Sequence, residues 1–357
     1  MIKYLGSKRT LVGAIGRVAE AVGARNAIDL FTGTTRVAQE LKRRGMHVTA
    51  VDVATYSEVL ADCYIATDSD AVDEAALADA LDDLRGLPPR AGYFTETFCE
   101  RARYFQPKNG ARVDAMRDRI AERYADSPLH GVLLAALIEA ADRVDSTTGI
   151  QMAYLKEWAP RAHNDLELRR PELIAGAGRA LRGDATELVD VLPRTDFLYI
   201  DPPYNQHRYF TNYHVWETLV RWDAPEHYGI ACKRVDARDE ATKSVFNRRR
   251  EMPLALADLL RRARAEVVAV SYNDEAWITP GAMLEALRDA GHEDARLVAF
   301  DRKRYVGAQI GIHNRKGVRV GTVSHLRNTE YLFIAGSRDR VENAIAAATE
   351  EPVLARA

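Results

Sequence analysis

The chain has 357 residues, a formal net charge of −2 at pH 7, 47% hydrophobic residues and 29% charged ones. That length holds one large domain or two smaller ones, and the near-neutral charge excludes a histone-like binder that is basic all over. No apolar run reaches membrane-spanning length, and the richest, Gly131 to Ala141, reads as a core helix.

The opening Met-Ile-Lys-Tyr-Leu-Gly-Ser-Lys carries no signal-peptide pattern. Cys63, Cys99 and Cys232 stand far apart and outside any metal spacing. The expectation is a cytoplasmic protein in a reducing compartment, with no structural zinc and no membrane partner. Charge is unevenly spread: acids dominate between Glu58 and Asp83, whereas Arg302 to Arg327 hold seven Lys or Arg and no Asp or Glu.

Apolar spacing predicts a helix over 10–22. Ala27-Ile28-Asp29-Leu30-Phe31 reads as a strand, Thr32-Gly33-Thr34-Thr35 as a turn, and Arg36 to Arg44 as a helix closed by Gly45. His47 to Asp52 is a second strand, which makes a βαβ opening of the doubly wound kind. Residues 56–180 break that rhythm and read as successive helices, Tyr56–Tyr64, Val72–Leu84, Thr95–Arg103, Ala111–Tyr124 and Leu129–Val144. They are taken as an insertion in the sheet domain rather than an independent module. The α/β pattern resumes at Leu181-Arg182-Gly183-Asp184, followed by a helix and a strand at Phe197–Ile200. Further strands are expected at Val267–Tyr272, Leu297–Phe300 and Tyr331–Ala335. Residues 205–250 read as loop and short helix, and the last twenty as a helix with a frayed tail.

The chemistry concentrates just past the strand at 197–200, in Asp201-Pro202-Pro203-Tyr204. Ligands of open α/β sheets bind outside the carboxyl ends of the strands. Paired prolines stiffen the loop, leaving a fixed carboxylate, an adjacent carbonyl and an aromatic ring. Two acceptors and one ring suit a planar amine. Three weaker features accompany this loop. Gly33 opens the turn before a helix, where backbone amides favour an anionic or carboxylate-bearing ligand. Asp52 closes the next strand, placed either for ribose hydroxyls or as a helix cap. Gly183-Asp184 reads equally well as a capped helix start or as a ligand contact.

Together, Lys3-Tyr4-Leu5-Gly6-Ser7-Lys8, Asp29-Leu30-Phe31-Thr32-Gly33, Asp52, Gly183-Asp184 and Asp201-Pro202-Pro203-Tyr204 resemble the Dam-type (D12 class) DNA adenine-N6 methyltransferases. The segment from Asp201 through Tyr213 and His214 is particularly similar to the modification methylases of type II restriction systems, and Arg103-Tyr104-Phe105, Asn109-Gly110 and Asp114 are also family-like. The resemblance spans Lys3 to about Ile334. It implies a Rossmann-like methyltransferase sheet with a helical insertion, and S-adenosyl-L-methionine (SAM) as methyl donor. By position, Tyr4 and Lys8 belong to the N-terminal cofactor motif, Phe31 and Gly33 line the cofactor pocket, Asp52 binds its ribose and Asp184 its adenine. Asp201, Pro202 and Tyr204 hold the target adenine, flipped out of the duplex. No metal is needed. Related turns often carry a second glycine where this chain has Thr35; its hydroxyl is able to cap the helix, and the expectation is altered detail without loss of SAM.

The domain expectation is 1–55 with 181–345 as the catalytic unit, 56–180 as an insertion that takes part in target recognition, and 346–357 as a tail. DNA contacts are expected from Arg248 and Arg249, and from Arg302, Lys303, Arg304, Arg315 and Lys316, whose glycine-rich surroundings suit a hairpin; phosphate neutralisation by such residues gives salt-dependent affinity. Arg143, Ser146, Gln151 and Lys156 are chemically capable of reading bases or phosphates. The implied partner is double-stranded DNA, with a separate restriction endonuclease as a candidate second partner. The expected state is a monomer, nucleoid-associated when on DNA in a bacterial cytoplasm. Methylation of RNA, cytosine N4 or a protein amide, and an inactive nucleic-acid-binding regulator, remain as alternatives.

Overall fold

The computed structural model describes residues 2–4, 8, 11–152, 154–155, 157–204, 206, 208–303 and 327–350. Its centre is a seven-stranded sheet built from β1 (Asn26–Asp29), β2 (His47–Asp52), β3 (Gly178–Arg182), β4 (Thr195–Ile200), β7 (Ala265–Asn273), β8 (Asp294–Lys303) and β9 (Arg327–Gly336). A small antiparallel pair, β5 (His227–Tyr228) and β6 (Lys233–Arg234), lies outside it.

The strand order is β3-β2-β1-β4-β7-β9-β8. The first five strands run parallel; β9 runs antiparallel between β7 and β8. The chain therefore builds outward from β1 to β3, then crosses back to place β4 on the other side of β1. That reversal opens a crevice at the carboxyl ends of β1 and β4, where doubly wound folds bind ligands. Because β9 is reversed, its start meets the carboxyl end of β7, with Glu330 opposite Asn273.

Strand residues alternate between two cores, as the period of two requires. Ala27, Phe197, Tyr199, Val267 and Ala269 face a core shared with the helices Val12–Ala21, Pro107–Arg123 and His130–Arg143. Ile28, Leu198, Ile200, Val268 and Val270 face a second core with Leu256, Leu260, Met283 and Leu287 of the helices Met252–Arg262 and Pro280–Asp289.

The segment 56–180 differs from the sequence expectation in three ways. Its first helix is α-helical only over Thr55–Ala61 and widens into a π-helical turn at Asp62–Ala66. The buried Lys42 amine satisfies that turn's end by donating to the carbonyls of Ile65 at 2.8 Å and Thr67 at 2.7 Å. The third helix is likewise a single turn, Tyr93–Thr95, running into π-helix at Glu96–Arg101. Beyond Val144 the segment is largely irregular, and its last residues belong to the sheet, since β3 begins at Gly178. Glycine is required there because a Cβ would meet the Val48 carbonyl oxygen at 2.8 Å and the Ile65 carbonyl oxygen at 2.5 Å. The C-terminal helix is Arg338–Thr349, and 351–357 lie outside the described residues. Among the described residues no helix is long and apolar enough to cross a membrane.

Candidate active site

The turn after β1 is tied to both neighbouring strands: Leu30 N donates to the Tyr199 carbonyl at 3.0 Å and Thr32 N to the Val51 carbonyl at 2.9 Å. Asp29 ends β1 as a buried carboxylate. Its Oδ2 accepts from the Thr32 hydroxyl at 2.9 Å and from Ala38 N, in the first turn of the next helix, at 3.1 Å. Its Oδ1 is buried without a hydrogen-bond partner among the described residues. Burial, only partly offset by these bonds, pushes its pKa up to about 7.

Gly33 has φ +52°, a conformation that costs a side-chain-bearing residue energy. Its N–H donates to Asp52 Oδ2 at 2.8 Å, and a Cβ there would lie 3.1 Å from the Tyr4 ring. The other Asp52 oxygen accepts from Ala54 N at 3.0 Å. Asp52 thus joins the β1 turn to the start of the next helix, and burial raises its pKa.

Thr35 also adopts the left-handed region, φ 61°, and is fully buried. Its hydroxyl does not cap the helix. It donates instead to the Thr34 carbonyl at 2.7 Å and accepts from Gln39 Nε2 at 2.9 Å. A left-handed cap residue does not hold its side chain over the N2 and N3 amides, which is the geometry capping needs.

Tyr4 stacks on Tyr213 at 4.6 Å between ring centroids and on Tyr209 at 5.3 Å. Phe31 meets Phe246 edge to face at 5.1 Å. Asp184 caps the short helix Ala185–Leu188, accepting from Thr186 N at 2.8 Å and from the Thr186 hydroxyl at 2.6 Å through Oδ1. These residues line two cavities that share part of their walls. A larger cavity is walled by Tyr4, Phe31, Asp52, Asp184, Asp201 and Phe246. A smaller one is walled by Lys8, Asp29, Gly33 and Arg36, and shares Tyr4, Phe31 and Asp201 with the first. The sequence-predicted cofactor residues are therefore brought together, with Asp201 in the walls of both cavities.

Asp201 stands just past β4. Lys8 Nζ lies 3.0 Å from its Oδ1 and 3.3 Å from Glu330 Oε2. Lys8 is only 4% exposed, so this ammonium is held by carboxylates rather than water. Burial alone would lower its pKa; Asp201, then Tyr204 and Glu330, outweigh that and hold it well above the ordinary value. Lys8 therefore contacts the Asp201 carboxylate as well as lining the smaller cavity, beyond the cofactor role its motif implied. Pro202 is buried, and Tyr204 packs edge-on to Tyr272 at 5.6 Å with Lys8 5.5 Å from its ring centre.

The predicted DNA contacts fall only in part within the described residues. Arg248 pairs with Glu240 at 2.9 Å and Glu251 at 3.0 Å, whereas Arg249 is exposed beside it. Arg302 and Lys303 are the last two residues of β8, opposite Asn328 and Arg327 of β9. Arg304, Arg315, Lys316 and Lys156 lie outside the described residues. Ser146 and Gln151 are buried: the Ser146 hydroxyl accepts from Ala159 N at 3.0 Å and Gln151 Oε1 from Val215 N at 2.9 Å. Both are committed to the protein's own backbone, which removes them as base readers. Arg143 donates to the Glu167 carbonyl at 2.8 Å.

Sequence reasoning missed Tyr209, Tyr213, Phe246 and Glu330 as site residues. The four-residue spacing of Tyr209 and Tyr213 was a usable signal, because such residues share a face across a helical turn. Glu330 had none, being brought in by strand pairing alone.

The model of the D12 class N6 adenine-specific DNA methyltransferases matches residues 4–283, and the chain belongs to that family. It is 29% identical over 330 residues to the type II methyltransferase M.NlaIII of Neisseria lactamica, covering 88% of this chain and 96% of that protein. Type II methyltransferase M.CviAII of Paramecium bursaria Chlorella virus 1 is 28% identical over 324 residues, 85% of this chain and 92% of its own. Type II methyltransferase M.FokI of Planomicrobium okeanokoites is 28% identical over 326 residues, 85% of this chain; the chain spans only 50% of that protein. A solved structure of precorrin 8w decarboxylase from Methanobacterium thermoautotrophicum aligns over 94% of this chain and 93% of its own at 11% identity. Its TM-score is 0.32, so the strand order, not that likeness, carries the fold.

The protein is an adenine-specific DNA methyltransferase, and SAM is its methyl donor. The residues present fit that donor. Asp29 offers a buried, unpartnered carboxylate oxygen beside the smaller cavity, suited to an ammonium group. Gly33 leaves a cradle against Tyr4 that a side chain would fill.

Proposed function

We propose that Asp201 and the Pro202 carbonyl accept the two N6 hydrogens of a target adenine flipped from double-stranded DNA, at a specific sequence, and aim its lone pair toward the crevice. The observation that carries this reading is that Asp201, the carboxylate that lines both cavities, stands at the carboxyl end of β4 beside β1. Bound there, SAM supplies an electrophilic methyl group on a positively charged sulfur.

On this reading Asp52 holds the ribose, with Tyr4, Phe31 and Phe246 as apolar walls. Asp184 has Oδ2 available for the cofactor adenine while Oδ1 caps its helix. Asp29 faces the methionine ammonium. The adenine amine is a poor nucleophile because its lone pair is delocalised into the ring. Acceptors on both hydrogens favour a pyramidal nitrogen and stabilise the positive charge that grows on it. Transfer then forms the N6–methyl bond, breaks the sulfur–methyl bond with its electron pair left on sulfur, and releases one N6 proton toward Asp201 or water. Tyr204 stacks on the flipped base, whose extrusion costs a few kcal/mol.

Segment 56–180 takes part in target recognition, and Arg249 with the basic segment from Arg302 neutralises phosphates. The protein acts as a monomer on DNA in the bacterial cytoplasm. It serves as a modification methylase beside a separate endonuclease, in line with the type II names of its relatives.

The test separates binding from chemistry. Asp201→Asn is expected to keep SAM affinity within a few-fold in calorimetry and to lose methyl transfer to DNA by ~100-fold or more. Retained transfer, or loss of both properties together, would assign Asp201 a different role.

A further inference from the structure

We propose that Glu330 is a positioning residue for methyl transfer, which holds Lys8 against Asp201 and keeps the catalytic cluster net negative. The proposal rests on the reading of Asp201 as acceptor for the adenine amine, and it concerns a residue outside the 4–283 span shared with the family model.

Lys8 and Asp201, 3.0 Å apart, form a neutral pair. A neutral pair does little for an amine that turns cationic as the methyl arrives. Glu330 Oε2, 3.3 Å from the same ammonium, brings the cluster to −1. All three groups are substantially withdrawn from water: Lys8 and Glu330 are 4% and 7% exposed, and the Asp201 side chain 20%. Screening is therefore weak, and a single added charge is felt at the reacting nitrogen.

Geometry gives the second reason. The Lys8 ammonium ends a long flexible side chain, and its three donors have no fixed direction. Held by Asp201 alone, the ammonium is free to slide onto whichever carboxylate oxygen the amine needs. Glu330 pulls from the β9 side and fixes Lys8 on Oδ1. Glu330 is itself fixed by strand register, opposite Asn273 of β7 and Phe300 of β8. Among the described residues, the groups that act on Lys8 include Asp201, Tyr204, Glu330, Tyr199 and Tyr209, and Asp29 lines the same small cavity. Among the described residues, Glu330 is, with Asp201, the carboxylate that raises the Lys8 pKa most, so removing its charge lowers the pH at which Lys8 loses its proton.

The test compares Glu330→Gln, which keeps the shape and removes the charge, with Glu330→Asp, which keeps the charge. Single-turnover transfer from methyl-labelled SAM to bacterial DNA is followed with pH, SAM affinity is measured separately, and Lys8 is titrated by NMR of carbon-labelled lysine. We expect Glu330→Gln to slow transfer roughly 10- to 100-fold, with SAM affinity within twofold of wild type. The Lys8 titration and the alkaline limb of the rate profile should both move to lower pH, and Glu330→Asp should recover most of the rate. A wild-type rate in Glu330→Gln, equal loss in both variants, or an unmoved Lys8 titration would each overturn the proposal. If wild type methylates an acceptor other than adenine, the functional reading fails, while the Lys8 titration still decides whether Glu330 governs Lys8.

Discussion

Replacing Asp29 by asparagine tests the electrostatics of the crevice without touching the Asp201 loop. Asp29 is 1% exposed, and its pKa is raised from an ordinary 3.8 to about 7. In the unfolded chain it ionises near 3.8; folded, it holds its proton to about 7. The folded state therefore binds more protons between these values, and stability must fall as pH rises through that window. At about 1.4 kcal/mol per pH unit, the full penalty above pH 7 is roughly 4 kcal/mol. Asp52, Asp62, Asp142 and Glu217 are also raised and slope the same way, while Asp223 opposes them. Only the difference between wild type and variant isolates Asp29. Asparagine has no charge to bury and still offers an oxygen to Ala38 N. Urea unfolding of both proteins without cofactor, at pH 5 and pH 8, is expected to show Asp29→Asn gaining on wild type by roughly 2–3 kcal/mol between the two pH values. A variant that gains nothing on wild type between pH 5 and pH 8, or loses ground to it, would refute the buried, proton-holding carboxylate. The same variant should bind SAM at least tenfold more weakly, because a neutral amide replaces the partner of a cationic group.

Three further outcomes follow from local geometry. Gly33→Ala combines a left-handed backbone with a methyl group 3.1 Å from the Tyr4 ring, so thermal unfolding should show a loss of about 1–3 kcal/mol, with weaker SAM binding. Arg234, 1% exposed and paired with Asp223 and Asp236 at 2.7 Å each, should cost roughly 3–5 kcal/mol when changed to alanine, read by urea unfolding. Arg249→Ala should weaken DNA binding and reduce the slope of log affinity against log salt by about 1. Arg248→Ala, whose charge already meets two glutamates, should change that slope less.

The fold was legible where the pattern is local. The opening strand-turn-helix-strand, the long apolar helix now bounded as His130–Arg143 and the strand before Asp201 all follow from periodicity, and the structure places them so. Boundaries failed where packing overrides propensity. The π-helical turns at Asp62–Ala66 and Glu96–Arg101 have no simple sequence signature, and β3 begins at Gly178 because a glycine is needed between two carbonyls. The crevice at the carboxyl ends of the strands was legible through its turn glycine and its strand-terminal acids. Tyr213 was signalled only by its four-residue spacing from Tyr209, and Glu330 not at all, because strand pairing alone brings it to the site across a long sequence separation. Gln151 and Ser146 illustrate the converse: polar residue types suggested surface recognition, but buried backbone groups had already claimed them.

The most direct test of the central claim is the identity of the methylated nucleoside. Unmethylated bacterial DNA is incubated with methyl-labelled SAM and wild-type protein, beside an Asp201→Ala control, and digested to nucleosides. Label is expected in N6-methyladenine and should disappear in the control. Label in N4-methylcytosine, or label in N6-methyladenine that survives loss of the Asp201 carboxylate, would contradict it.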